Sequence, residues 1–265
     1  MDMKVSMEKR ESIYMISCKH SAYTGEVRHF GDQPHSGDVI WSLACIKELR
    51  EPVTYYLNCE TEELYDQLKP IIDRQEYIYE TLPYTGQEVN FDLDKDVRRT
   101  NLQQCLCDVF TLSADHQNNW LDIPEDIKEY DVLYRNTRYR NDNFDWKKFT
   151  RDNVTLSNCV YVGRYHEYIS FIRAAEILPR KLKWIETRTV NELYDTIALC
   201  RRFYGNGGLP YVMACGMGKP CVCEVEPDPY TGEAIMHNVL NREINTYYSH
   251  YSKDNISQLT GITHV

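Results

Sequence analysis

Residues 205–220 read GNGGLPYVMACGMGKP, and this stretch decides the fold. It follows the apolar run Ile197 to Tyr204, which reads as a buried strand. Three glycines in the four-residue turn Gly205-Asn206-Gly207-Gly208 let the backbone turn tightly. Pro210 stands where a helix takes its first residue, and Gly216 and Gly218 mark that helix's end. Strand, glycine-rich turn and helix N-terminus present bare amides and a positive helix end with no side chain in the way, which is a site for a phosphate. The same residues also make an ordinary tight turn, so the reading depends on a partner elsewhere in the chain.

That partner is HSGDVIWSLACIKEL, residues 35–49. His35-Ser36-Gly37-Asp38 reads as a loop that opens a helix, with Val39, Ile40, Leu43, Ile46 and Leu49 near helical spacing on a buried face. Asp38 lies at the N-terminal end, where aspartate is favoured as a cap. Gly37 just before it lets a ligand approach the backbone closely, which a plain cap does not need.

Around these two motifs, strands and helices alternate. Ile13–Cys18, Val53–Leu57 and Tyr77–Glu80 read as strands of a first half, with a helix from Thr61 to about Lys69 that Pro70 ends. Arg98–Val109 reads as helix, and Leu121 to Asp126 as the crossing between halves. The second half repeats the rhythm: strand Asp131–Arg135, strand Val160–Val162 ending at Gly163, helix His166–Leu178, strand Trp184–Glu186, a helix from Thr189, then the glycine loop, its helix, and strand Cys221–Val225. The last segment, Ile235 to about Tyr251, reads as helix packing back on the first half. This order predicts an α/β fold of parallel sheets with helices on both faces. Its units are 1–127, 128–234 and a C-terminal helical segment, 235–265.

The two motifs carry a resemblance. HSGDVIWSLACIKEL resembles the opening "GD-[IV]-…-LP-A-[IL]-…-L" of the ADP-heptose–lipopolysaccharide heptosyltransferase family. GNGGLPYVMACGMGKP resembles that family's "GNDSGPMHLAAALGKP" without a gap, and YVGRYHEY (161–168) is similar to its "GG-x-x-E" turn. The resemblance implies a GT-B arrangement of two facing Rossmann-like domains, the second holding a nucleotide sugar. It also implies that Glu167 faces the ribose hydroxyls. The chain departs from the pattern at three places: Gly207-Gly208-Leu209 replaces Asp-Ser-Gly, Val212 replaces a histidine, and Leu43-Ala44 replaces Leu-Pro. The side chains with which the family contacts sugar and phosphate are therefore largely absent, and backbone is what remains.

Composition narrows the partners. The chain of 265 residues has a formal charge of −10, which argues against a broad nucleic-acid surface. It contains no run of about 18 apolar residues, and its first residues lack the long apolar core of a secretory leader, so a cytoplasmic location is expected. The ten cysteines then read as reduced thiols. Cys105/Cys107 and Cys221/Cys223 have the spacing to offer two thiolates each, but Cys221-Val222-Cys223 also reads as a buried strand, where cysteine packs as a small hydrophobe. No metal is expected. Against the acidic background, NTRYRNDNFDWKKF (136–149) stands out as a basic loop at a strand end, suited to gripping a diphosphate.

In open α/β sheets, ligands bind beyond the carboxyl ends of the strands. The expected site comprises Asp38 as general base, with Ser36, Gly37, Arg135, Arg138, Gly163, Glu167, Asn206, Gly207, Gly208 and Tyr211 binding substrate. The expected function is transfer of a sugar, without metal or resident cofactor, from a nucleoside-diphosphate sugar to a hydroxyl acceptor such as a saccharide or a modified nucleobase. The alternative is a binding module that keeps the nucleotide cleft and has lost transfer.

Overall fold

The computed structural model describes residues 12–17, 36–48, 53–59, 61–86, 91–92, 119–123, 129–135, 144–224, 244–251 and 256–259. In the first half, β1 (Ser12–Ser17), β2 (Val53–Asn58), β3 (Ile78–Pro83) and β4 (Phe91–Asp92) form a parallel sheet in the order β3-β2-β1-β4. Helix α1 (Ser36–Lys47) follows β1, and α2 (Glu62–Asp73) follows β2. Thr61 caps α2, its hydroxyl accepting from Leu64 N at 3.2 Å, and Leu64, Leu68, Ile71 and Ile72 recur at helical spacing on its buried face. The expected stop at Pro70 does not occur. The proline sits inside the helix on an exposed position, and burial of Ile71 and Ile72 in the next turn outweighs the hydrogen bond that it removes.

The second sheet has seven strands: β5 (Tyr130–Leu133), β6 (Cys159–Val162), β7 (Lys183–Ile185), β8 (Cys200–Gly205), β9 (Cys221–Glu224), β10 (Thr246–Tyr251) and β11 (Ile256–Leu259). Their order is β11-β10-β9-β8-β5-β6-β7, parallel throughout except for the β10–β11 pair. Alternation along each strand sorts residues between two helical layers. Val132, Val160, Val162, Phe203, Cys221 and Cys223 face one core. Leu133, Tyr161 and Tyr204 face another, beneath α3 (Trp146–Asn153) and α4 (Tyr165–Ala174).

Three sequence expectations are corrected here. The run from Ile197 is not all strand: Ile197 and Ala198 close α5 (Val190–Ala198), whose cap Thr189 accepts from Glu192 N, and β8 starts only at Cys200. A short apolar run has no periodicity that separates the two states. The helix expected over 235–251 is, at 246–251, a strand paired to β9. Its run TYYSHY is rich in β-forming residues, and it covers an edge that β9 would otherwise expose. The basic stretch 136–149 is not all loop either, because Asp145 accepts from Lys148 N at 2.9 Å and starts α3. Residues 98–109 lie outside the described residues.

The two halves share one apolar core. Helices α1 and α2 pack against α5 and α6 (Leu209–Gly216). Trp41 stacks on Trp120 at 5.2 Å, and the Trp120 indole donates to Ile40 O at 3.0 Å. The crossing segment is joined to α6 through one carbonyl: Trp120 N and Leu121 N both donate to Gly216 O at 2.9 Å. Around this seam, Gln67 accepts from Val190 N at 3.2 Å, Arg74 pairs with Asp195 at 2.7 Å, and Tyr194 donates to Asp122 O at 2.6 Å. Among the described residues, no helix is long and apolar enough to cross a membrane.

Candidate functional site

Three adjacent strands, β8, β5 and β6, end at the same edge of the second sheet, and glycine is required where two of them turn. At Gly205 an added Cβ would stand 2.1 Å from the Tyr134 carbonyl oxygen, so β8 leaves the sheet pressed against β5. Gly208 caps α6 at φ 143°, ψ 177°, a region open only to glycine. Gly163 ends β6 at φ 121°, with the carboxylate of Glu167 3.0 Å from where its Cβ would be. The chain thus runs from β8 through a turn of three glycines and one asparagine into α6, with Pro210 in its first turn. At the far end, Gly218 (φ 69°) closes the helix: Gly218 N donates to Cys215 O and Lys219 N to Ala214 O.

Around this turn the structure gathers part of the expected set. Arg135 follows β5 and lies over the Trp146 ring at 5.4 Å, a cation–π contact that fixes the guanidinium near the edge. Glu167 sits in the first turn of α4, where its Oε2 accepts from Arg164 N at 2.9 Å, so one oxygen closes the helix end. Tyr161, fully buried between them, has its hydroxyl pushed well above the ordinary tyrosine range, chiefly by burial and then by the Glu167 charge.

Asn206 is 2% exposed and turns its amide inward, 3.5 Å from the carboxylate of Glu224 at the end of β9. Tyr211 is 1% exposed and packs 6.1 Å from Phe203 in the shared core. Arg138 lies outside the described residues. Lys147, part of the basic stretch, pairs with Glu176. Tyr161 and Trp146 fall inside motifs whose other residues carry the sequence signal, and Glu224 falls in none. Tyr161 and Glu224 hide inside apolar strands, where only the alternation of a polar group with cysteine and valine gave a signal.

The other motif opens α1. The helix begins at Ser36, so Asp38 is its third residue rather than its cap. Gly37 is half-buried, yet a Cβ there would meet nothing within 4 Å, so packing does not demand a glycine. The side chains of Ser36 and Asp38 lie outside the described residues. Helices α1 and α6, which begin with the two motifs, pack on each other.

Cys215, Cys221 and Cys223 lie under the loop in the shared core, with the Cys215 and Cys221 sulfurs 3.7 Å apart. Burial raises the pKa of Cys221 and Cys223 and takes that of Cys200 up to about 12, which keeps these groups as thiols. Among the described residues no group of three His, Cys, Asp or Glu side chains forms a metal site.

No protein-family model matches the chain, and no curated protein matches it in sequence. Solved structures do match in shape. The fold is that of GT-B glycosyltransferases, two parallel α/β Rossmann-like units. A glycosyl transferase of family 9 from Veillonella parvula superposes with a TM-score of 0.55 at 11% identity, over 88% of this chain and 86% of that one. The heptosyltransferase WaaC of E. coli, in its structure with ADP, superposes with a TM-score of 0.55 at 11% identity, over 94% and 96%. WaaC with ADP-2-deoxy-2-fluoro heptose gives 0.51 at 10% identity, over 83% and 91%.

Proposed function

We propose that the chain is a glycosyltransferase that moves a sugar from a nucleoside-diphosphate sugar to a hydroxyl acceptor, inverting the anomeric centre without a metal ion. The observation that carries this reading is the turn Gly205–Gly208, where the backbone conformation at Gly208 and the contact at Gly205 admit glycine alone and no side chain of the cap residue covers the start of α6. Such a turn receives a diphosphate through backbone donors and the helix dipole. Arg135, held over Trp146, supplies a cation beside it. The fold shared with WaaC, whose structure contains ADP, makes ADP the first nucleotide to test.

In this reading Asp38 takes the proton of the acceptor hydroxyl as its oxygen attacks the anomeric carbon. The bond from that carbon to the diphosphate breaks on the opposite face, and the diphosphate leaves with the electron pair. Charge growing on the leaving group meets the amides of Gly207, Gly208 and the first turn of α6. Ser36 and Gly37 border the acceptor, and Gly163 and Glu167 border the ribose.

A binding module without transfer is the second reading. It is favoured by the inward turn of Asn206 and by the use of Glu167 to close α4. Thermal melting with nucleoside diphosphates and nucleotide sugars tests both. A ligand at a hundred times its dissociation constant adds about 2.7 kcal/mol, and the absence of any shift defeats both readings. Slow hydrolysis of the matching nucleotide sugar then separates them. Asp38→Asn is expected to lower turnover by about 10²–10⁴-fold with the melting shift retained, and full turnover in that variant refutes the assignment.

A further inference from the structure

A buried carboxylate stands one side chain away from the glycine turn. Strands β8 and β9 run parallel with Gly205 opposite Cys223, so the next pair in register is Asn206 and Glu224, at the carboxyl ends of both strands. Asn206 is 2% exposed and Glu224 is 5% exposed. The Asn206 amide donates to Glu224 Oε2 at 3.5 Å, the long limit of a hydrogen bond. Glutamate is rarely buried this deeply, and here it is buried next to the residue that leads into Gly207 and Gly208.

This position sets up an electrostatic conflict. A diphosphate seated on Gly207, Gly208 and the first turn of α6 brings negative charge close to a carboxylate already shielded from water. Burial and a nearby like charge both favour the neutral form of a carboxyl. The elements packed against β9 are β8, β10 and α6. On β8, Arg201 pairs with Asp131, and Arg202 donates to the Tyr204 hydroxyl at 3.4 Å. Lys219, between α6 and β9, donates to Ala198 O at 2.7 Å, at the opposite edge of the sheet. Tyr211 and Cys215 of α6 lie in the shared core with Cys200 of β8 and with Cys221 and Cys223 of β9. Burial raises Tyr204, Cys221 and Cys223 above their ordinary values and takes Cys200 to about 12, so these four stay neutral near pH 7. The side chains of 247–251 on β10, His250 among them, lie outside the described residues.

We propose that Glu224 couples donor binding to a proton: it takes one from solvent as the diphosphate enters the turn and returns it as the diphosphate leaves. The only bond made or broken at Glu224 is the O–H bond. Protonated, the carboxyl no longer repels the phosphates and gains a hydroxyl that donates, while its carbonyl oxygen still accepts from Asn206. The amide of Asn206 thereby keeps its place beside the turn in both states. The proposal rests on the diphosphate reading of the turn and goes beyond it by naming the group that sets the pH dependence of binding. It applies to transfer and to binding without transfer alike.

Calorimetric titration with ADP-glucose, and with UDP-glucose as a second probe, tests it. Their disubstituted diphosphates do not titrate between pH 5.5 and pH 8, whereas a terminal phosphate does, at about pH 6. Wild-type affinity is expected to rise at least about tenfold from pH 8 to pH 5.5. Heats measured at pH 7 in PIPES and in imidazole are expected to show net proton uptake on binding. Glu224→Gln, which keeps shape and removes the charge, is expected to bind at least about tenfold tighter than wild type at pH 8. Its affinity should be flat with pH and its binding free of that uptake, and the comparison subtracts any titration on β10. Asn206→Asp sets a second carboxylate against the first, so it is expected to weaken binding at pH 8 and steepen the rise toward pH 5.5. It decides the matter if circular dichroism finds Glu224→Gln unfolded. A flat wild-type profile, no proton uptake, the wild-type slope in Glu224→Gln, or an unchanged slope in Asn206→Asp each overturns the proposal. A nucleotide sugar that binds with a flat profile sinks the proposal and leaves the donor reading standing. If neither probe binds any of the three chains at either pH, the donor reading falls and takes the proposal with it.

Discussion

Gly205 and Glu176 hold the same kind of backbone problem and answer it in opposite ways. At Gly205 the partner is a carbonyl oxygen of the neighbouring strand, 2.1 Å from an added Cβ, and backbone there has nowhere to go. Gly205→Ala is expected to cost about 3 kcal/mol, read as a fall in the urea midpoint at constant slope. Glu176 stands at φ 52° just past α4, where Ile177 N donates to Ile172 O and Glu176 N to Arg173 O, the same closing pattern that Gly218 makes after α6. A left-handed non-glycine residue carries strain of about 1 kcal/mol, and the exposed pair with Lys147 returns little. Glu176→Gly is therefore expected to stabilise by about 0.5–1 kcal/mol in the same urea titration; a loss of stability would refute the strain. Of these two residues the sequence announced only Gly205, because a glycine is visible by its letter, whereas a strained glutamate looks like any other.

Elements with their own punctuation were legible. Thr61 and Thr189 stand before α2 and α5 as caps, and the glycines around α6 bracket a helix that runs where they say. Elements decided by tertiary contact were not. α2 runs through Pro70 because the next turn is buried, and 246–251 is strand because β9 offers an open edge. The candidate site divides the same way. The glycine turn and the basic residue after β5 follow from local pattern. The support of Arg135 by Trp146, the inward turn of Asn206 and the burial of Tyr211 depend on neighbours far along the chain. Strands β8 and β9 and helix α6 also enclose Cys200, Cys215, Cys221 and Cys223, all buried. Because the thiolate is the reactive form, these four are expected to resist iodoacetamide at pH 8 in the native protein and to react once urea unfolds it. Peptide mapping by mass spectrometry reads each one, and native labelling at any of them contradicts the packing.

Across the whole molecule, burial of phenols sets the alkaline limit. Burial raises Tyr77 well above its ordinary value and Tyr130 to about 12, while Tyr161 and Tyr194 are raised as well. A group whose folded pKa exceeds the unfolded value gives its full stabilisation below the unfolded pKa, near 10 for tyrosine. That stabilisation is lost as pH rises through the folded value. Stability is thus expected to be flat toward pH 9 and to fall from pH 10 to 12, with the buried phenols ionising only as the fold opens. Absorbance at 295 nm followed alongside circular dichroism checks it: buried phenols that ionise with the dichroism intact would contradict the prediction.

The pair of hydrogen bonds accepted by Gly216 O couples the two halves. One carbonyl accepts from both Trp120 and Leu121, so the C-terminal end of α6 is fastened to the strap between the halves. A ligand seated at the other end therefore rests on a buried helix whose far end carries the strap, so any shift of α6 reaches the junction of the two halves directly.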